Sequence, residues 1–128
     1  MRQTLFLTLI IVFVLSACSS SENGFEALPD GDASRGETLF AESINGSPAC
    51  STCHSLDAVR LVGPGLGNYA ENAETRVEGQ SAEEYTYRAI VRPAGFLVDG
   101  YGNLMYTQYQ SKLAEQDIAD LIAFVLTQ

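Results

Sequence analysis

A chain of 128 residues has room for one compact domain with short appendages, and not for a catalytic domain joined to a separate partner module. Sixteen Asp and Glu against seven Lys and Arg give a formal charge of −9, which excludes nucleic acid and non-specific attraction to an anionic bilayer, both of which draw on clustered cations. Three cysteines, one isolated and two close together, do not form the pattern of a disulfide framework.

Met1-Arg2-Gln3 is a short positive start, Leu5 to Leu15 is almost wholly apolar, and Ser16-Ala17 places small residues before Cys18, the layout of an export signal. The apolar run is shorter than the ~20 residues a helix needs to cross a bilayer. Leu15-Ser16-Ala17-Cys18 resembles the lipobox of bacterial lipoproteins, which implies cleavage after residue 17 and a lipid on Cys18. The product would be exported and lipid-anchored on the non-cytoplasmic side of a membrane, in the periplasm or at the cell surface. Residues 18–31 are small, polar and acidic apart from Phe25 and Leu28, and read as a flexible tether. The expected organisation is a signal peptide over 1–17, the lipidated cysteine and tether over 18–31, and a folded domain over 32–128.

Gly36, Leu39 and Phe40 fall on one face of a helix that starts at Ala33, with Asp32 as its N-cap. Glycine is costly inside a helix, and its presence at 36 predicts a close helix crossing. Asn45-Gly46 marks a turn, and Ser47-Pro48 predicts a capping serine and a first-turn proline opening a short helix over Cys50 to His54. Leu61 to Gly67 is a glycine-rich loop without the lysine and serine or threonine of a phosphate-binding loop, so nucleotide binding is rejected. Ser81-Ala82-Glu83-Glu84 matches a capping box for a helix with Ala82, Tyr85, Ala89 and Ile90 on its apolar face, ended by Pro93. Residues 94–104 read as a long loop with buried contacts. Ile118, Leu121, Ile122 and Val125 then carry the cleanest helical spacing in the chain, over 114–126. No alternating segment of comparable strength appears, and the expected class is all-α.

Cys50-Ser51-Thr52-Cys53-His54 is C-x-x-C-H. Thiols at i and i+3 project from one side of a helix, so both can form thioethers to the two vinyl groups of one haem. The adjoining His54, the only histidine, is then placed to bind the iron. A structural zinc site would need a second Cys or His pair, which is missing once Cys18 is assigned to lipid. A thioredoxin-like dithiol would need a β-α-β setting, and a plain disulfide leaves His54 unexplained. For the other face of the iron, Met105 is the one methionine beyond the initiator, at the end of the 94–104 loop. Methionine is more often core filling, but beside C-x-x-C-H a thioether ligand is the stronger reading.

With Gly36, Phe40, Cys50 to His54, Gly63-Pro64, Ile90 to Pro93, Gly100-Tyr101, Met105 and 117–124, residues 32–128 resemble a monohaem c-type cytochrome of the small His/Met group, including c-domains attached to bacterial respiratory complexes. The resemblance implies a cytochrome c fold of three to five helices wrapped around one covalently bound haem c, with iron held by His54 and Met105. It implies that Gly36 and Phe40 meet Leu121 and Phe124, and that the Pro64 carbonyl accepts the other ring N–H of His54. Two departures stand out: Tyr106 follows Met105 where the family has proline, and Ala114 replaces a capping serine or threonine, at a cost of about 1 kcal/mol. The implied function is single-electron transfer in a respiratory or photosynthetic chain, without a small-molecule substrate and without enzyme activity. Its partners would be redox proteins, membrane oxidoreductase complexes foremost, served by a shuttle or by a fixed subunit. The alternative is a haem sensor or peroxidase-like protein with an open sixth iron position. Arg76, Tyr85, Arg92 and Tyr101 are conceivable donors to haem propionates, and none is assigned.

Overall fold

In a computed structural model, which describes residues 24–128, helix α1 (Ala33–Ala41) opens at Asp32, whose carboxylate accepts from the amides of Ser34 at 2.9 Å and Arg35 at 3.3 Å. These bonds satisfy two of the amides that a helix start leaves unpaired. The expected signal peptide and the expected lipid site at Cys18 lie outside the described residues. Helix α1 buries Gly36, Leu39 and Phe40, the face predicted from spacing.

That face crosses helix α5 (Glu115–Val125). A Cβ on Gly36 would collide with the Asp120 carbonyl and lie 2.7 Å from the Phe124 Cβ, so glycine is what lets the backbones approach. The Phe40 and Phe124 rings meet at 5.5 Å with a 58° tilt. Gly36 thus sits on Asp120 and Phe124, and Leu121 belongs with Phe40 and Phe124 to one buried cluster. Ala114 cannot cap α5 with its side chain, and Asp117 compensates by accepting from the Ala114 amide at 3.0 Å.

Residues 24–31, read from composition as tether, are held on the domain. Gly24–Ala27 form a 3-10 turn, the Phe25 ring lies 6.0 Å from that of Tyr87, and Leu28 packs on the core. Gln116 adds a hydrogen bond to the Asp30 carbonyl at 2.9 Å. Phe25 and Leu28, the apolar exceptions in the stretch, thus join that hydrogen bond in attaching it.

Helix α2 (Tyr69–Arg76) was not legible in the sequence, because it buries Ala73 and presents no apolar stripe. It starts from Asn68 in a left-handed conformation, φ 55°, without a side-chain cap. Helix α3 (Ala82–Val91) begins at the predicted Ser81, whose hydroxyl accepts from the Glu84 amide at 3.2 Å. The reciprocal half of the capping box is not made: Glu84 takes the Arg88 guanidinium at 2.8 Å, and Glu74 of α2 accepts from the Ala82 amide at 3.2 Å. Replacing Ser81 by alanine is expected to lower stability by about 1 kcal/mol, read as a shift in the denaturant midpoint; no shift would mean that Glu74 alone suffices as the cap.

Between α1 and α2, Cys50–Thr52 form a 3-10 turn entered from extended Ala49. Ser47 does not cap it; the buried Ser47 hydroxyl donates to the Ile44 carbonyl at 2.7 Å and closes the Asn45-Gly46 turn instead. A further short helix, α4 (Tyr109–Lys112), buries Tyr109 ahead of α5. Among the described residues there are five α-helices and no strand, the all-α class expected from the sequence.

Candidate functional site

The Cys50–Thr52 turn and the 94–104 loop border a cavity of about 370 Å³ whose walls are mostly apolar. Cys50, Cys53, His54, Pro64 and Met105 all line it, so the residues singled out from sequence are gathered in one place. The turn is closed by the Cys53 and His54 amides, which donate to the Cys50 carbonyl at 3.1 and 3.0 Å. Tyr109 anchors its approach by donating to the Pro48 carbonyl at 2.9 Å, and burial raises the phenol well above the ordinary tyrosine range.

His54 is fixed in orientation. The Gly63 amide donates to the Cys53 carbonyl at 2.9 Å and folds the glycine-rich loop back, bringing the Pro64 carbonyl 2.8 Å from His54 Nδ1. A carbonyl can only accept, so in the neutral ring the proton sits on Nδ1 and Nε2 keeps its lone pair. Gly63 is needed for this packing, since a Cβ there would stand 2.8 Å from Nδ1 and 2.9 Å from Nε2. A neutral imidazole with a free Nε2, held through its other nitrogen, is the form in which histidine binds a metal.

No disulfide joins Cys50 and Cys53. Burial pushes the Cys50 thiol up to about 11, with a smaller contribution from neighbouring Cys53, so at neutral pH it is not a ready thiolate. No group of three or more His, Cys, Asp or Glu side chains with metal-site spacing occurs among the described residues, which leaves the zinc reading without ligands. An apolar slot carrying two thiols, an oriented imidazole and a thioether fits haem, a large flat apolar group with iron at its centre. Cys50, Cys53, His54, Pro64 and Met105 are therefore the residues that would hold it.

Tyr69 and Thr86 also line the cavity and carried no sequence signal, one on the unforeseen helix and the other beside the apolar face of α3. The Thr86 hydroxyl donates to the Ala82 carbonyl at 2.6 Å, so the Tyr69 hydroxyl, 3.1 Å away, donates to Thr86. Burial lifts the Tyr69 phenol to about 12. Both protons are spent inside the protein, which keeps this wall effectively apolar. Of the four conceivable propionate donors, Tyr85 and Tyr101 line the cavity, and Arg76 and Arg92 do not. Tyr106, which follows Met105, stacks edge-on with Tyr109 at 5.1 Å.

The family model described as cytochrome c matches residues 33–128. A search of curated proteins gives no match to the chain.

Proposed function

The chain belongs to the cytochrome c family, whose domains transfer electrons through haem, and from that premise we propose that it is a single-electron carrier with one haem c bound covalently through Cys50 and Cys53. His54 Nε2 and the Met105 thioether are its iron ligands. The observation that carries this reading is the His54 ring, turned by the Pro64 carbonyl so that its unprotonated nitrogen is left for a metal in the cavity that Met105 also lines.

When bound, the haem supplies a reversible one-electron ferric/ferrous couple. The protein does the rest. Cys50 and Cys53, both lining the cavity, would hold the haem by thioether bonds to its two vinyl groups. The Nδ1–H bond to Pro64 fixes ring orientation and raises the donor strength of Nε2. Met105, on the same cavity, would supply the second protein ligand to the iron and so keep small molecules from it. The apolar walls, including the internally paired Tyr69 and Thr86, exclude water and so favour the less charged iron state.

Large exposed apolar side chains concentrate in the two loops beside the cavity: Leu56, Val59, Leu61 and Val62 after His54, and Phe96, Leu97 and Leu104 before Met105. Such clustering on a strongly acidic protein suits docking of a redox partner close to the cofactor. A membrane oxidoreductase complex is the proposed partner, with the lipid on Cys18 holding the carrier on the non-cytoplasmic side of a membrane and raising its effective concentration there.

The test is the visible spectrum of the mature protein, oxidised and reduced, with carbon monoxide added. A reduced low-spin spectrum that persists under carbon monoxide is expected, and Met105→Ala should bind the gas readily. Ready binding by the parent would move the protein to the sensor or peroxidase-like reading, and a Met105→Ala variant indistinguishable from the parent would remove Met105 as ligand.

A further inference from the structure

The loop after His54 and the loop leading to Met105 are joined by one side chain. Arg60 Nη2 donates to the Gly100 carbonyl at 2.6 Å, and the guanidinium carbon lies 4.1 Å from the centroid of the Tyr101 ring. Gly100 has φ +80°, a left-handed conformation that glycine takes without strain, so the turn itself helps to aim this carbonyl. Among the described residues, the other hydrogen bonds of 96–105 are local, Tyr101 amide to Val98 carbonyl and Leu104 amide to Gly102 carbonyl. The Arg60 bond is the one that ties this segment to another part of the chain. Leu97 and Leu104 are exposed, and the remaining anchors are the Phe96 ring on Tyr85, at 5.7 Å, and Met105 against the core. A segment with few buried contacts and local bonds opens at low cost.

The geometry points to Arg60 as a positioning residue for Met105: it straps the Met105 loop to the His54 loop, and so sets how often the methionine leaves the iron. This rests on the ligand reading given above. Lysine would not serve equally, because the planar guanidinium covers the ring and reaches the carbonyl at once. Arg60 is exposed, so solvent and salt weaken both contacts, and the two together suit a strap that shifts an equilibrium by about tenfold rather than a permanent lock.

An external base competes for the iron only in molecules whose Met105 has left, so its apparent affinity follows the open fraction. The experiment uses the haem-loaded oxidised protein titrated with imidazole, following loss of the far-red thioether-to-iron charge-transfer band. Imidazole affinity is expected to rise about tenfold in Arg60→Ala and in Arg60→Met, which keeps the aliphatic stem, and about threefold in Arg60→Lys. The denaturant midpoint of the helices should stay close to the parent's, which separates positioning from general loosening. Should Arg60→Ala not fold, Arg60→Met carries the measurement. Affinities within twofold of the parent in the arginine variants, while Met105→Ala binds imidazole far more tightly, would overturn the strap and leave the ligand reading standing. If Met105→Ala binds no better than the parent, the ligand reading falls and the strap with it.

Discussion

A chain carrying Cys50→Ala and Cys53→Ala together is expected to give up all of its haem to acidified organic solvent, whereas the parent retains it through denaturation. The two thiols line the same cavity as His54 and are the route proposed here for covalent attachment. Without them, His54, Met105 and the apolar walls would hold the cofactor by an equilibrium that unfolding destroys. Each single variant keeps one thioether and should remain covalently loaded. The consequence for stability is large. An unfilled cavity of about 370 Å³ costs at most roughly 9 kcal/mol at ~24 cal/mol per Å³, the same order as the entire stability of a small domain. Solvent entry at the mouth lowers that figure, yet a haem-stripped double variant should still lose its sharp cooperative unfolding. Staining for haem after denaturing electrophoresis reads the covalent link, and circular dichroism reads the unfolding. Haem that migrates with the double variant would show that attachment does not run through these cysteines.

The parts of this protein legible in its sequence are those where one local rule decides. The N-cap at Asp32 and the stripe of α5 each rest on spacing within a few residues, and each falls where spacing puts it, whereas Cys50 to His54, expected on a short helix, begin on a 3-10 turn that covers Cys50–Thr52 only. The parts that were not legible depend on partners far along the chain. Helix α2 has one fully buried residue and gains its place by packing Tyr69 and Ala73 beside α3. Ser47-Pro48 reads as a helix start, but the Ser47 hydroxyl finds a nearer acceptor at Ile44, and the turn over the cysteines begins only at Cys50, directly after extended Ala49. Glu84 is at the right offset to complete a capping box, and Arg88 one turn on competes for it successfully. Arg60 had no sequence signal at all. Its meaning comes from a carbonyl forty positions away whose direction is set by the turn at Gly100.

Asp120 is expected to carry the largest electrostatic share of stability, and to lose it in acid. It is fully buried, at 0% exposure, on the face of α5 that α1 covers. Burial by itself would raise its carboxyl, but the Asp32 amide at 2.7 Å, Gln116 at 2.8 Å and the Arg35 guanidinium together outweigh that and hold it below the usual range. Asp120→Ala leaves the Asp32 amide short of an acceptor, whereas Gln116, exposed and still bonded to the Asp30 carbonyl, turns to water. Arg35, half exposed and still paired with Asp117, rehydrates at low cost, which places the loss near 2–4 kcal/mol rather than at the top of the range for a broken buried pair. The pH dependence follows from the sign of the shift. A carboxyl lower in the folded than in the unfolded state stabilises fully above its unfolded value of about 3.9, and that contribution disappears as pH falls through the folded value. The gap in unfolding free energy between the parent and Asp120→Asn, measured by denaturant titration of the haem-loaded proteins, should therefore be constant from neutral pH to about 5 and narrow below about 4. The acidic groups common to both chains cancel in that difference. A gap that stays level into strong acid would mean that Asp120 acts through shape and hydrogen bonding alone, and that its charge, though enclosed between α1 and α5, contributes nothing to holding the two helices together.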